Sequence, residues 1–67
     1  MGDMKIGRKL KQLRLARKLT QVDLAKRAKV TQGFITHMEN EYDYAPRLST
    51  LRRLAKVLRC SISELVE

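Results

Sequence analysis

The chain has 67 residues, which suffices for one domain with a modest core. Its 15 lysines and arginines outnumber seven acidic residues and give a net charge of +8 at neutral pH. The single cysteine, Cys60, excludes an internal disulfide, and no Cys/His cluster suggests zinc. The sequence contains no apolar run of about 18 residues and no secretory signal. We therefore expect a cytoplasmic protein without a membrane partner.

The first predicted helix covers about residues 4–17, where Ile6, Leu10 and Leu13 recur at helical spacing. The positive charge is concentrated early in the chain. Residues 1–33 contain ten lysines or arginines and two acids, whereas the rest contains five of each. Such an excess favours a polyanion as partner, although a basic, solvated helix face is the alternative interpretation of charge alone.

The next segment predicts two short helices, over 21–28 and 32–39, joined by a tight turn. Thr20 followed by Asp23 is typical of a capping box at the start of the first one. Thr31 is suited to cap the second. Apolar residues at helical spacing indicate the buried sides: Leu24, Ala25 and Ala28 in the first helix, and Phe34, Ile35 and Met38 in the second. Phe34 is interpreted as core, with contact to a thymine methyl as the alternative.

The second of these helices has a polar face opposite its apolar one. The polar face consists of Gln32, Gly33, Thr36, His37 and Asn40. Nothing on it requires burial. Two short helices joined by a tight turn, with a polar outer face on the second, are typical of a helix-turn-helix that reads DNA.

Two more helices are predicted, over 49–58 and 62–66. The first has an apolar stripe formed by Leu51, Leu54, Ala55 and Leu58. Ser61 and Glu64 form a capping box at the start of the second. No useful period-two alternation occurs, so the sequence predicts an all-α fold with five helices in a single domain over 1–67.

In order and spacing, the sequence resembles the Cro and phage-repressor type (xenobiotic-response-element-like) helix-turn-helix family of bacterial and phage transcription regulators. The matching pieces are IGRKLKQLR, LTQVDLA, VTQGFITHMEN, PRLSTLRRLAKVL and CSISEL. The resemblance extends from Ile6 to Leu65. It implies a five-helix, lambda-repressor-like domain that usually acts as a homodimer, with the third helix in the major groove of double-stranded DNA.

The resemblance also implies roles for individual residues. Base-reading positions are Gln32, Thr36, His37 and Gly33; phosphate-contacting positions are Gln21, Thr31, Asn40, Arg47, Arg14 and Lys18. A glutamine amide suits adenine, and an imidazole can donate to guanine N7 or O6. His37 has two alternatives, an exposed bystander or a phosphate contact. Thr31 is equally interpretable as a helix cap only, and Gln21 as a surface glutamine.

The sequence departs from the family at positions that are often glycine after a helix. These positions are Lys18, Lys29, Glu41 and Arg59. We expect positive φ there, at a cost of about 1 kcal/mol each. Gly33 is a departure of another kind, because relatives often place a base-reading side chain there. Glycine either reduces direct readout or permits closer approach of the backbone.

The loop EYDYAP is the remaining departure. Glu41 and Asp43 would repel a phosphate backbone where relatives often carry cations. The hydroxyls of Tyr42 and Tyr44 could compensate by hydrogen bonding, or these residues could belong to a subunit contact.

The sequence favours a sequence-specific DNA-binding transcriptional regulator, with repression as the expected activity. As a homodimer it would bind two DNA half-sites about 34 Å apart. The surface between the two subunits is expected to include residues 60–67 and the loop before the fourth helix. The alternatives are an antitoxin whose main partner is a protein, and a nonspecific binder of nucleic acid. No motif indicates an enzyme, a cofactor, a metal or a small-molecule ligand, and Cys60 is expected to pack in the core.

Overall fold

A computed structural model describes residues 6–40 and 46–66. Over these ranges the chain forms five helices and no strand, which confirms the predicted fold class. The helices are α1 (Ile6–Ala16), α2 (Gln21–Ala28), α3 (Gln32–Asn40), α4 (Leu48–Leu58) and α5 (Ile62–Val66). The fourth begins one residue earlier than predicted, because the Arg47 carbonyl already accepts the first helical hydrogen bond, from the Leu51 amide at 2.9 Å. The part of the chain before Ile6, including Met4 where α1 was predicted to begin, lies outside the described residues.

The core lies where all five helices meet. α2 packs against both α3 and α4, α1 packs against α3 and α5, and α5 also packs against α4. The largest fully buried side chains are Leu10, Leu24, Ile35, Met38, Leu54, Leu58 and Leu65. Because each helix contributes to this set, the short helices are stabilised by one another rather than by their own hydrogen bonds. Over the described ranges, no helix is long and apolar enough to cross a membrane.

Capping boxes fix the starts of α2 and α5. The Thr20 amide donates to Asp23 Oδ2, and the Asp23 amide donates to Thr20 Oγ1, both at 3.0 Å. Ser61 and Glu64 make the equivalent pair at 2.8 and 3.2 Å. The bonds from the Thr20 amide and hydroxyl, followed by the nearby Arg27 and Lys26 charges, lower the pKa of Asp23. The predicted capping pairs are therefore both formed.

Left-handed residues end α1, α2 and α4 in the same way. Lys18, Lys29 and Arg59 have φ of 58°, 61° and 57°. The following amides, of Leu19, Val30 and Cys60, donate to the carbonyls of Arg14, Ala25 and Ala55 at 3.0, 2.9 and 3.0 Å. Each is a Schellman motif, in which the residue after the left-handed one packs against the core. Three of the four positive-φ predictions are confirmed, and Glu41 lies outside the described residues.

Two arginines bond to helix carboxyl ends contributed by other parts of the chain. Arg17 Nε donates to the Leu58 carbonyl at 2.9 Å, and Arg53 Nε donates to the Ala28 carbonyl at the same distance. Cations are favoured at these ends because the last carbonyls of a helix lack helical partners. These two arginine side chains therefore link the end of α1 to α4, and α4 to the end of α2.

Candidate nucleic-acid interface

The two faces of α3 differ sharply in exposure. Ile35 and Met38 are buried, and Phe34 is half-buried against the core, in agreement with its interpretation as a core residue. The opposite face is exposed, and it carries Gln32, Gly33, His37 and Asn40. Four of the five residues of the predicted polar face thus lie together on the surface of one helix.

Thr36, the fifth, is half-buried and engaged within the protein. Its hydroxyl donates to Gln21 Oε1 at 2.8 Å. Gln21 in turn donates from Nε2 to Glu39 Oε1 at 3.0 Å. Both ends of the Gln21 amide are therefore occupied within the protein. A phosphate or a base can reach either side chain only by replacing or sharing one of these bonds.

Arg14 is where the structure corrects the expected phosphate contacts. The residue is only 7 % exposed. Its Nε and Nη2 donate to the two carboxylate oxygens of Glu39 at 2.7 and 3.1 Å, and Nη1 donates to the Leu19 carbonyl at 2.9 Å. The Glu39 side chain is 2 % exposed. The guanidinium is turned into the protein and bound on all three nitrogens, so Arg14 is not available to phosphate.

Gly7 explains how α1 comes close enough to α3 for this ion pair. Gly7 is buried, and a β-carbon there would overlap the Met38 carbonyl and touch Glu39 Cα. The bare backbone lets α1 lie directly on the second half of α3. Arg14, two helical turns later on the same side of α1, then reaches Glu39 in a bidentate arrangement, the strongest geometry for this pair.

Gly33 has the opposite surroundings. The nearest atom to a β-carbon built there is Thr31 Oγ1 at 4.0 Å, so the space is open. Packing within the chain does not require glycine at this position. Apart from lowering helix propensity, the absence of a side chain therefore affects only what approaches α3 from outside.

The remaining predicted phosphate contacts lie at helix ends. The Thr31 hydroxyl accepts from the Phe34 amide at 3.0 Å and so caps α3, while Thr31 itself remains exposed. Lys18 after α1 and Arg47 before α4 are also exposed. The loop acids and tyrosines, from Glu41 to Tyr44, lie outside the described residues. Over the described ranges no group of His, Cys, Asp or Glu could hold a metal ion.

Counting charges along the chain did not predict the buried pair of Arg14 and Glu39, although the helical spacing of the two residues indicates it. Arg14 follows Leu10 by four residues and Gly7 by seven, so it lies on the inward side of α1. Glu39 likewise follows the buried Ile35 by four. A cation and an acid on two apolar faces indicate a buried pair, because a lone buried charge is costly.

One face of α3 is polar and exposed, and the other packs on the core. A tight turn with one left-handed residue joins α3 to the preceding helix, and this arrangement defines a helix-turn-helix domain. Residues 10–65 match the family described as helix-turn-helix. The chain belongs to this family and is of its Cro and phage-repressor type.

Individual relatives are consistent with this assignment. The immunity repressor protein of Bacillus phage phi105 is 38% identical over 63 residues, which are 94% of this chain and 43% of that protein. The chain therefore spans less than half the length of that relative. The biofilm regulator SinR, solved in complex with DNA, superposes with a TM-score of 0.88 at 26% identity over 92% of this chain and 98% of that one. The restriction-modification controller protein C.AhdI from Aeromonas hydrophila gives 0.83 at 27% identity, over 92% of each chain.

Proposed function

We propose that the protein is a transcriptional regulator, specifically a repressor, that binds double-stranded DNA in a sequence-specific way with α3 in the major groove. The observation that carries the proposal is the exposed polar face of α3 opposite a buried face that packs on the core through Phe34, Ile35 and Met38. The known relatives support it, since one is named a repressor and another is a regulator in complex with DNA. We further propose that it acts in the bacterial cytoplasm.

Within this proposal, Gln32 and His37 are the principal base readers. Both are exposed on α3, where an amide suits adenine and an imidazole suits guanine. Thr36 contributes less, because its hydroxyl is already bonded to Gln21. Gly33 contributes to DNA binding through the open space that it leaves for DNA to approach the backbone of α3.

Phosphate contacts are assigned to residues at or next to the ends of helices, including the last residue of α3. They are Gln21, Thr31, Asn40, Arg47 and Lys18. Such contacts fix orientation but carry no sequence information directly, so their loss should weaken all duplexes alike. Arg14 has no place among them, and its charge serves the fold instead.

We also propose that the protein binds as a homodimer, since the family to which it belongs usually does so. A twofold-symmetric pair places two copies of α3 in successive major grooves, about 34 Å apart. Size measurement of the free protein and of its complex with duplex DNA tests this assembly. A complex holding one copy, on DNA carrying a palindromic site, would contradict it.

Selection from random duplexes, followed by titration, tests the main proposal. The recovered sequence and its scrambled version are titrated at two salt concentrations. We expect affinity for both to fall as salt rises, because counterions are released on binding, while the preference for the selected sequence persists. Equal affinity for selected and scrambled duplexes at both concentrations would contradict sequence-specific regulation and favour a nonspecific binder.

A further inference from the structure

A groove of about 350 Å³ opens between α2 and α4. Four cations and one apolar residue line it: Arg27, Lys29, Arg53, Lys56 and Val57. Its volume is at the lower end of the range typical of small-molecule sites. Because α2 packs between α3 and α4, and no α3 residue lines the groove, it is separate from the proposed base-reading face.

The fold holds these cations together although they come from distant parts of the chain. Lys29 is fixed in the left-handed conformation that ends α2, and its amide donates to the Ala25 and Lys26 carbonyls. Arg53 Nε donates to the Ala28 carbonyl at 2.9 Å, which holds the guanidinium beside that helix end. Over the described ranges, Arg53 makes no hydrogen bond through its two terminal nitrogens, Nη1 and Nη2.

Little within the described residues offsets this charge. Among the described residues no acid lines the groove, and the buried carboxylate of Glu39 is bonded to Arg14. The nearest acid in sequence is Asp23, one helical turn before Arg27; it interacts with the Arg27 charge, but it does not line the groove, and its Oδ2 already accepts from the Thr20 amide. Ala28 would otherwise present a carbonyl dipole that repels anions, but Arg53 occupies that oxygen.

We propose that this groove binds a small anion carrying two or three linked phosphate groups. Phosphate oxygens accept several hydrogen bonds, and both guanidinium and ammonium groups are suited to donate them. The half-buried Val57 provides an apolar wall, so the ligand can carry an uncharged portion beside its phosphates. This site lies beyond the proposed DNA-binding function and does not depend on it.

The probe is inorganic tripolyphosphate, titrated without DNA in buffers of constant ionic strength and followed by amide NMR shifts. At about 0.1 M salt, separated charges are screened over about 10 Å, so diffuse attraction is suppressed. We expect saturable binding with the largest shifts at Arg27, Lys29, Arg53, Lys56 and Val57. Absence of saturable binding, or shifts centred on α3, would overturn the proposal.

Two pairs of variants distinguish the groove from overall charge. Lys29→Gly removes a groove cation and relieves its left-handed strain, so the variant is expected to fold; Arg59→Gly makes the same change at the end of α4, outside the groove lining. Lys56→Gln removes another groove cation, and Arg52→Gln removes an exposed one from α4 that does not line the groove. Loss of a charged hydrogen bond is typically worth about tenfold in affinity. We therefore expect Lys29→Gly and Lys56→Gln each to weaken tripolyphosphate binding about five- to tenfold.

The two controls decide whether position matters. Arg59→Gly and Arg52→Gln should change tripolyphosphate affinity by less than about twofold, as expected for screened charges that do not line the groove. Equal weakening by all four variants would show attraction to net charge and overturn the site. Displacement of tripolyphosphate by duplex DNA would assign the groove to DNA instead, and would also overturn it.

Discussion

The two halves of α3 are held in different ways. Its second half lies against α1, where Gly7 permits backbone contact at Met38 and Arg14 binds Glu39. Its first half presents Gln32 and Gly33 to solvent. The contrast indicates a division of labour, in which a buried polar network sets the position of the second half of the helix. The exposed face, with Gln32 and Gly33 in the first half and His37 and Asn40 in the second, is left to contact a ligand.

Breaking the ion pair should have the largest effect. Glu39→Ala leaves the Arg14 guanidinium buried without its carboxylate, and we expect a loss of about 3–5 kcal/mol in the free energy of unfolding, measured with urea. Replacing both partners, as Arg14→Met with Glu39→Leu, should cost less than either single change. A loss below about 1 kcal/mol for Glu39→Ala would indicate that the pair behaves as an exposed one.

A methyl group at Gly7 tests the close approach itself. Gly7→Ala would collide with the Met38 backbone, which cannot rotate away as a side chain can, so α1 must shift. We expect a loss of about 1–3 kcal/mol in unfolding free energy, although alanine favours helices. Ala16→Gly in the exposed last turn of α1 is the comparison for propensity alone. A stabilised Gly7→Ala variant would contradict the described contact between α1 and α3.

Variants of Thr31 distinguish a role as helix cap from a role as phosphate contact. Thr31→Ala removes the hydroxyl that accepts from the Phe34 amide, and should cost about 1 kcal/mol in stability. Thr31→Ser keeps the hydroxyl and should retain both stability and DNA affinity. If Thr31→Ala loses stability but binds selected and scrambled duplexes like the parent, Thr31 is a cap only.

Gly33→Ala should have the smallest effect on stability, and in the opposite direction. The site has open space, so alanine should add up to about 1 kcal/mol to the free energy of unfolding through helix propensity. Titration with the selected duplex then separates the two interpretations of this glycine. Weaker binding by the more stable variant indicates close approach of the backbone to DNA, whereas unchanged binding indicates that position 33 makes no direct contact.

Local features of this fold were predictable because each depends on a few neighbouring residues. The capping pairs at Thr20 and Ser61 follow from what the chain must do at a helix start, and the left-handed positions at Lys18, Lys29 and Arg59 were predicted from the resemblance to a family that often has glycine there. The apolar stripes predicted the core for the same reason. These features require no knowledge of which helices meet.

Features that depend on distant contacts were not predicted. Arg14 and Glu39 are 25 residues apart, and counting charge along the chain treated Arg14 as exposed. Gln21 and Thr36 were assigned to separate roles, yet they share a hydrogen bond. The basic groove combines Arg27 and Lys29 from the positive half of the chain with Arg53 and Lys56 from the neutral half, which only packing of α2 on α4 brings together.

The most direct test of sequence reading by the exposed face of α3 is the affinity of Gln32→Ala for the selected duplex and for its scrambled version, at one salt concentration. We predict a loss of about 1–3 kcal/mol on the selected duplex, with little change on the scrambled one and relaxed selectivity at one base pair. Equal weakening on both duplexes would contradict base reading and make Gln32 a phosphate contact.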